Sequence, residues 1–212
     1  MQIIHNILDA EKYIADLDAV IFDLDDTLYP EKDYVKSGYK KIAEHFPQVP
    51  DMRERLWEVF LRGGKAIDEV FAECSLSDFS HEALAIYRNQ TPEISLYDGV
   101  REMLARIGEG KKTGIITDGR PEGQHAKIRA LGLYADEIII TDELGGPEFR
   151  KPNELSFRLM REKLGVAFEK MAYVGDNIKK DFIAPEKLGI RCIYFDNSDG
   201  LYYSGGRRNN VS

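Results

Sequence analysis

Short, mostly apolar runs alternate along this chain with longer stretches in which apolar positions recur every three or four residues. The runs at Ala19–Phe22, Gly114–Thr117, Ile138–Thr141, Met171–Val174 and Ile190–Phe195 are too short for helices and too uniformly apolar for strands with one wet face. They predict buried strands. Between them, Val100, Met103, Leu104 and Ile107, then Pro121–Leu131, then Phe157, Met160 and Leu164 follow helical spacing, and Gly108, Gly132 and Gly165 stand where left-handed C-terminal caps are expected. Apolar strands alternating with amphipathic helices predict a parallel sheet covered on both faces. The fold class is α/β, a doubly wound core.

One region departs from this rhythm. From Pro30 to Glu93 the pattern is helical throughout: Val35, Tyr39, Ile42 and Phe46; then Leu56, Val59 and Phe60; then Ile67, Val70, Phe71 and Cys74; then Leu84 and Tyr87. Pro47, Pro50 and Gly63-Gly64 punctuate it. A bundle of about four short helices inserted after the first motif is expected at residues 30–93, with residues 1–29 and 94–212 forming the core. Met1–Leu17 is expected to add one further helix, Pro185 to shorten or break the helix after residue 181, and the polar, Gly-rich tail SGGRRNNVS to be loose or docked on a partner.

Composition narrows the function. A net charge of −8 disfavours binding to a phosphate backbone, so no nucleic-acid partner is expected. No stretch reaches the roughly 20 apolar residues of a membrane span, and the N-terminal MQIIHNILDAEKY carries charge where a signal peptide is apolar. The expectation is a cytoplasmic protein without a membrane partner, either monomer or homodimer. Cys74 and Cys192 are far apart and lack metal-ligand spacing, which predicts two reduced thiols.

The chemistry gathers at the C-terminal ends of the predicted strands, where open α/β sheets place their ligands. Asp23, Asp25, Asp26 and Thr27 follow the first run; Thr117, Asp118 and Gly119 the second; Arg150, Lys151 and Pro152 lie beyond the third; Asp176 and Asn177, with Asp181 further on, follow the fourth. Carboxylates, a hydroxyl and a lysine at one edge suit Mg²⁺ and a phosphoryl group, because Mg²⁺ takes one or two carboxylates together with substrate oxygens. Asp23 is placed as a carboxylate nucleophile and Asp25 as the acid that protonates the leaving oxygen and the base that then activates water. Thr117 and the neighbouring backbone N–H groups, those of Asp118 and Gly119, would hold phosphate oxygens while Lys151 lets two anions approach. Each part alone has a plain structural reading, as a turn, a cap or a solvated lysine. A calcium loop starting at Asp23 fails, since its sixth position is Leu28 and its twelfth Tyr34.

Taken in order, FDLDDTLY, IITDG, FRKPN and VGDNIKKD resemble the four signature motifs of the haloacid dehalogenase superfamily of phosphohydrolases. The resemblance runs from about Asp18 to Phe195. It implies a Rossmann-like core, Mg²⁺ dependence and an aspartyl-phosphate intermediate. It also implies metal contacts from Asp23, the backbone carbonyl of Asp25 and Asp176, with Asp181 orienting the metal's waters or Lys151. Residues 30–93 are similar to the small four-helix cap of the superfamily's first cap class. Asp118, where many relatives carry Asn, is a departure, and its carboxylate is expected to face the substrate pocket.

The reading is a phosphatase acting on a small phosphorylated metabolite, a sugar phosphate or nucleoside monophosphate. A phosphomutase would use the same residues. A dehalogenase proper would need neither Asp25 nor a metal, because halide leaves without a proton. A phosphorelay receiver domain has a similar kit in a different order and no helical insert beside its reactive aspartate. Lys32, Tyr34, Lys36, Arg62, Lys65, Arg88 and Arg120 are candidate substrate anchors, and the Gly-x-Gly-x-x-Gly dinucleotide fingerprint is absent after the first strand.

Overall fold

A computed structural model describes residues 1–201 and 203; the SGGRRNNVS tail lies outside the described residues. The sheet has six parallel strands in the order β1-β6-β5-β2-β3-β4: β1 Gln2–Ile4, β2 Ala19–Phe22, β3 Lys112–Thr117, β4 Glu137–Ile140, β5 Met171–Gly175 and β6 Arg191–Phe195. From β2 the chain moves outward through β3 to β4, then returns to place β5 on the other side of β2. The direction of winding therefore reverses at β2, and a crevice opens beyond its C-terminal end.

Burial on both faces explains why the strands are largely apolar. Successive strand residues point to opposite sides: Val20 and Phe22 join one cluster with Ile115, Val174, Met103 and Leu131, and Ala19 and Ile21 join the other with Ile116, Tyr173, Phe157 and Met160. The first cluster is covered by helices α5 Val100–Gly108 and α6 Pro121–Leu131, the second by α7 Leu155–Leu164 and α8 Ile183–Leu188. Gly132 and Gly165 end α6 and α7 with φ of 57° and 68°, as their spacing predicted. Gly108 does not, because α5 runs through it and is capped by Glu109 in a right-handed conformation.

Residues 1–17 correct the expectation of one helix. They form strand β1, which pairs with β6, followed by a 3-10 helix over Ile7–Tyr13. Three residues are too few to show a period, and only pairing with β6 makes them a strand. Pro185 shortens α8 as expected, although it sits in the helix's first turn, where its missing N–H has no intrahelical partner to lose.

Between Pro30 and Glu93 lie α1 Glu31–His45, α2 Met52–Leu61, α3 Ala66–Glu73 and α4 Ser80–Arg88. They pack around their own cluster of Val35, Tyr39, Ile42, Leu56, Val70 and Phe71. Among the described residues no helix is long and apolar enough to cross a membrane.

Candidate functional site

The turn after β2 is pinned before it reaches the chemistry. Asp23 donates its N–H to Val174 O at 2.8 Å, which carries the β2–β5 ladder one residue past the strand and fixes Asp23 against β5. Leu24 and Leu28 are fully buried and anchor the turn from below, with Leu28 N–H donating to Leu24 O at 3.0 Å. The aspartates between them are therefore held at the crevice. Asp26 adopts φ of 54°, a conformation Asp tolerates better than most side chains. Its carboxylate accepts from Glu31 N–H at 2.8 Å and Leu201 N–H at 2.6 Å, so it caps α1 and holds the segment after β6.

Two strands, β2 and β5, and the loop before α7 bring one buried cluster together. Asp23, Asp176 and Asp181 place carboxylate oxygens within 4.8 Å of one another. Lys151, whose side chain is wholly buried, reaches Asp23 at 2.6 Å and Asp181 at 2.9 Å, and donates to Tyr173 Oη at 2.8 Å. Asp181 also accepts Asn177 N–H at 2.9 Å, and Thr27 Oγ1 donates to Asp176 at 3.3 Å. Lys151 precedes a cis Pro152.

The charges do not balance. Burial, with Asp181 beside it, pushes Asp23 up to about 7 against the pull of Lys151. Burial and the neighbouring Asp23 and Asp181 carry Asp176 well above the ordinary carboxylate range. Lys151 rises as well: burial alone would lower it, but Asp181 and Asp23 more than offset that and hold it firmly protonated. Carboxylates this close, buried and mutually repelling, need a further positive charge to stay ionised together. An all-oxygen donor set is the kind that hard divalent cations take.

Asp25 faces a different environment. Lys127 Nζ lies 2.7 Å from its Oδ1, Tyr29 Oη donates to the same oxygen, and Gln124 Nε2 donates to Oδ2 at 2.9 Å. Burial alone would raise Asp25, but Lys127, Tyr29 and Gln124 hold it below the usual carboxylate value. Gln124 also donates to Thr117 Oγ1, joining the predicted phosphate-binding hydroxyl to Asp25. Gly119, at φ of 137°, brings the chain close under Gln124, whose side chain would lie 3.3 Å from any Cβ there. Glu31 stands near this group, and burial together with Asp25 pushes it up to about 8.

Asp118 is turned away from the role expected of its carboxylate. The side chain accepts from Thr141 Oγ1 at 3.0 Å, Lys151 N–H at 3.1 Å and Lys180 Nζ at 2.9 Å, so its oxygens are used in joining β3, the Lys151 loop and the turn after β5. The carboxylate is a brace between these segments. Of the surface anchors considered from sequence, Lys32 reaches Asp199 O, Lys36 lies over Trp57 at 5.3 Å, and Arg62 pairs with Glu69 at 2.8 Å. Sequence reading missed Tyr29, Gln124, Lys127, Tyr173 and Lys180. The available signal was on α6, where Gln124 and Lys127 share a face with the buried Ile128 and Leu131.

A six-stranded parallel sheet with acidic, basic and hydroxyl groups meeting at its winding reversal defines an α/β enzyme of the phosphoryl-handling type. Comparison with known proteins agrees: the model of the haloacid dehalogenase-like hydrolases matches residues 17–189, and the chain belongs to that family. It is similar to a glyceraldehyde 3-phosphate phosphatase of Methanopyrus kandleri, 27% identical with 81% of each chain covered. A ribulose-1,5-bisphosphate 5-phosphatase of Halopiger xanaduensis is 26% identical with 85% of each covered. Among solved structures, a hydrolase of this superfamily from Bacillus subtilis, bound to magnesium, superimposes with a TM-score of 0.63 at 17% identity, covering 84% of this chain and 86% of that one.

Proposed function

We propose that the protein is a Mg²⁺-dependent phosphatase that hydrolyses a small phosphorylated metabolite through an aspartyl-phosphate on Asp23. The observation that carries this reading is the pairing of two differently placed carboxylates: Asp23 in the acidic cluster with Lys151, and Asp25 in a separate cage of donors. In the first step an Asp23 oxygen bonds to phosphorus while the bond to the leaving oxygen breaks, and protonated Asp25 gives that oxygen its proton. In the second, the Asp25 carboxylate takes a proton from water as the water oxygen attacks phosphorus, and the bond to Asp23 breaks. Lys151 keeps the nucleophile and the phosphoryl oxygens from repelling one another. Thr117 and the N–H groups of Asp118 and Gly119 hold the remaining oxygens.

Asp23, Asp176, Asp181 and the backbone carbonyl of Asp25 are the groups assigned to Mg²⁺, which supplies positive charge against the incoming phosphoryl group. Because Asp181 already pairs with Lys151 at 2.9 Å, its part is to hold the lysine and the ion's waters. Residues 30–93 serve as a cap over the crevice, with residues 1–29 and 94–212 as the core. The support is that α1 starts on the Asp26 carboxylate, and Tyr34 on it lies 4.5 Å from Lys127. The relatives named as phosphatases of glyceraldehyde 3-phosphate and ribulose bisphosphate favour short phosphorylated sugars over nucleotides.

Phosphate release from a panel of sugar phosphates, nucleoside monophosphates and an aryl phosphate, with Mg²⁺ and with EDTA, tests the reading. Metal-dependent release that Asp23→Asn loses while keeping its fold is expected. Release at the wild-type rate by Asp23→Asn would overturn it.

A further inference from the structure

The proposed mechanism leaves a buried ammonium without a task. Lys127 is 6% exposed on α6 and makes its ion pair with Asp25 rather than with any phosphate-binding group. Its Nζ sits 4.5 Å from the centre of the Tyr34 ring, and Tyr34 meets Tyr87 edge-on at 5.7 Å. Burying a lysine is costly unless the partner is well placed, so the arrangement demands a reason. Three donors converge on the one carboxylate: Lys127 and Tyr29 on Oδ1, Gln124 on Oδ2. They come from different places in the chain, Tyr29 from the end of the turn and the other two from one face of α6. Asp25 is therefore fixed from both sides.

Building on the function proposed above, we infer that Lys127, with Tyr29 and Gln124, is a clamp that positions Asp25 as the base for hydrolysis of the phosphoenzyme. Every donor in the clamp points at the carboxylate oxygens and so fixes where they stand when water has to be met. Within the clamp Lys127 makes its ion pair with Asp25, so it is a positioning residue and not a catalytic one. Its contact with Tyr34 also ties the aim of that base to the seating of α1. When water attacks, Asp25 must meet its proton at hydrogen-bond distance, and a misplacement of about 1 Å costs on the order of a hundredfold in rate.

The two chemical steps separate the clamp from a general effect on folding. Nitrophenyl phosphate, as the aryl phosphate, has a leaving group that departs without a proton, so Lys127→Met should still transfer the phosphoryl group to Asp23. Mixed rapidly with aryl phosphate and Mg²⁺, this variant is expected to release a burst of one phenolate per site. Turnover should then be about ten- to a hundredfold slower than wild type, with phosphoenzyme accumulating on acid quench. Tyr29→Phe, which removes one hydroxyl and leaves the ion pair in place, is expected to shift the same step by a smaller factor, and it tests the clamp if Lys127→Met does not fold. A burst that shrinks with the amount of folded protein, while turnover per burst site stays at the wild-type value, would overturn the clamp. So would wild-type turnover in both variants. Loss of the underlying mechanism reads differently: wild-type enzyme would then form no phosphoenzyme, or Asp23→Asn would turn over.

Discussion

The crevice at the end of β2 and the four-helix bundle beside it are built on opposite principles. At the crevice, Asp23, Asp176, Asp181 and Lys151 are all buried, and the site stands on ion pairs of 2.6 and 2.9 Å. In the bundle, the buried polar side chains among residues 30–93 are Ser37 and Gln90, and both tie the end of the segment back to α1: Ser37 accepts Glu93 N–H at 2.9 Å, and Gln90 donates to Tyr34 O at 3.3 Å. The rest of its interior is apolar and aromatic, with Phe46 edge-on to Phe71 at 5.0 Å. Buried charge gives exact placement at a cost in stability, whereas apolar packing gives stability and tolerates rearrangement. The buried charges therefore gather at the sheet edge, and the bundle is held by apolar packing.

The comparison can be broken most forcefully at Asp23, where Asn should abolish steady-state turnover. Next comes Lys151→Met, which leaves two buried carboxylates facing each other. It should lower turnover by at least about a hundredfold and stability by about 3–5 kcal/mol, read by steady-state kinetics and denaturant unfolding. Phe71→Ala should cost a similar 3–5 kcal/mol from the bundle while each folded molecule keeps its aryl phosphatase rate within a fewfold. If the folded fraction lost its chemistry, the division between the two regions would be wrong.

A subtler effect concerns pH. Asp23 rises from 3.8 to about 7 and Glu31 from 4.5 to about 8, so between those values the folded protein keeps protons that the unfolded chain has released. Stability therefore falls as pH rises through that window. The melting temperature of metal-free protein should drop between about pH 4 and about pH 8, and Mg²⁺ should restore it most at the upper end, by mass action on the folded state. A melting temperature that climbed over this range without metal would contradict the electrostatics of the site. The smallest effect is expected at half-buried Lys36, whose Nζ lies over the Trp57 ring: Lys36→Ala should leave stability within about 0.5 kcal/mol, and any change should appear in KM across the substrate panel.

Much of this was legible in the sequence, for identifiable reasons. Ala19–Phe22 and Pro121–Leu131 formed as predicted because burial on both sheet faces and a clean helical period leave strong patterns. β1 was illegible, since Gln2–Ile4 becomes a strand only by pairing with residues some 190 positions away. At the site, the groups standing directly at strand ends could be foreseen, because position in the chain fixes position at the edge. Lys127 and Gln124 lie part-way along α6, where a lysine reads as solvated surface until the helix is docked. Asp118 shows the converse limit: its place was foreseen, but the direction of its carboxylate depends on Thr141 and Lys180, which the chain supplies from elsewhere.

The most direct test of the central claim is to catch the intermediate. Asp25→Asn protein mixed with an aryl phosphate and Mg²⁺, acid-quenched and mapped by peptide mass, should carry a phosphoryl group on the peptide containing Asp23, and the same protein with Asp23→Asn added should carry none. Hydrolysis at the wild-type rate with Asp23 unmodified at every quench time would contradict the account.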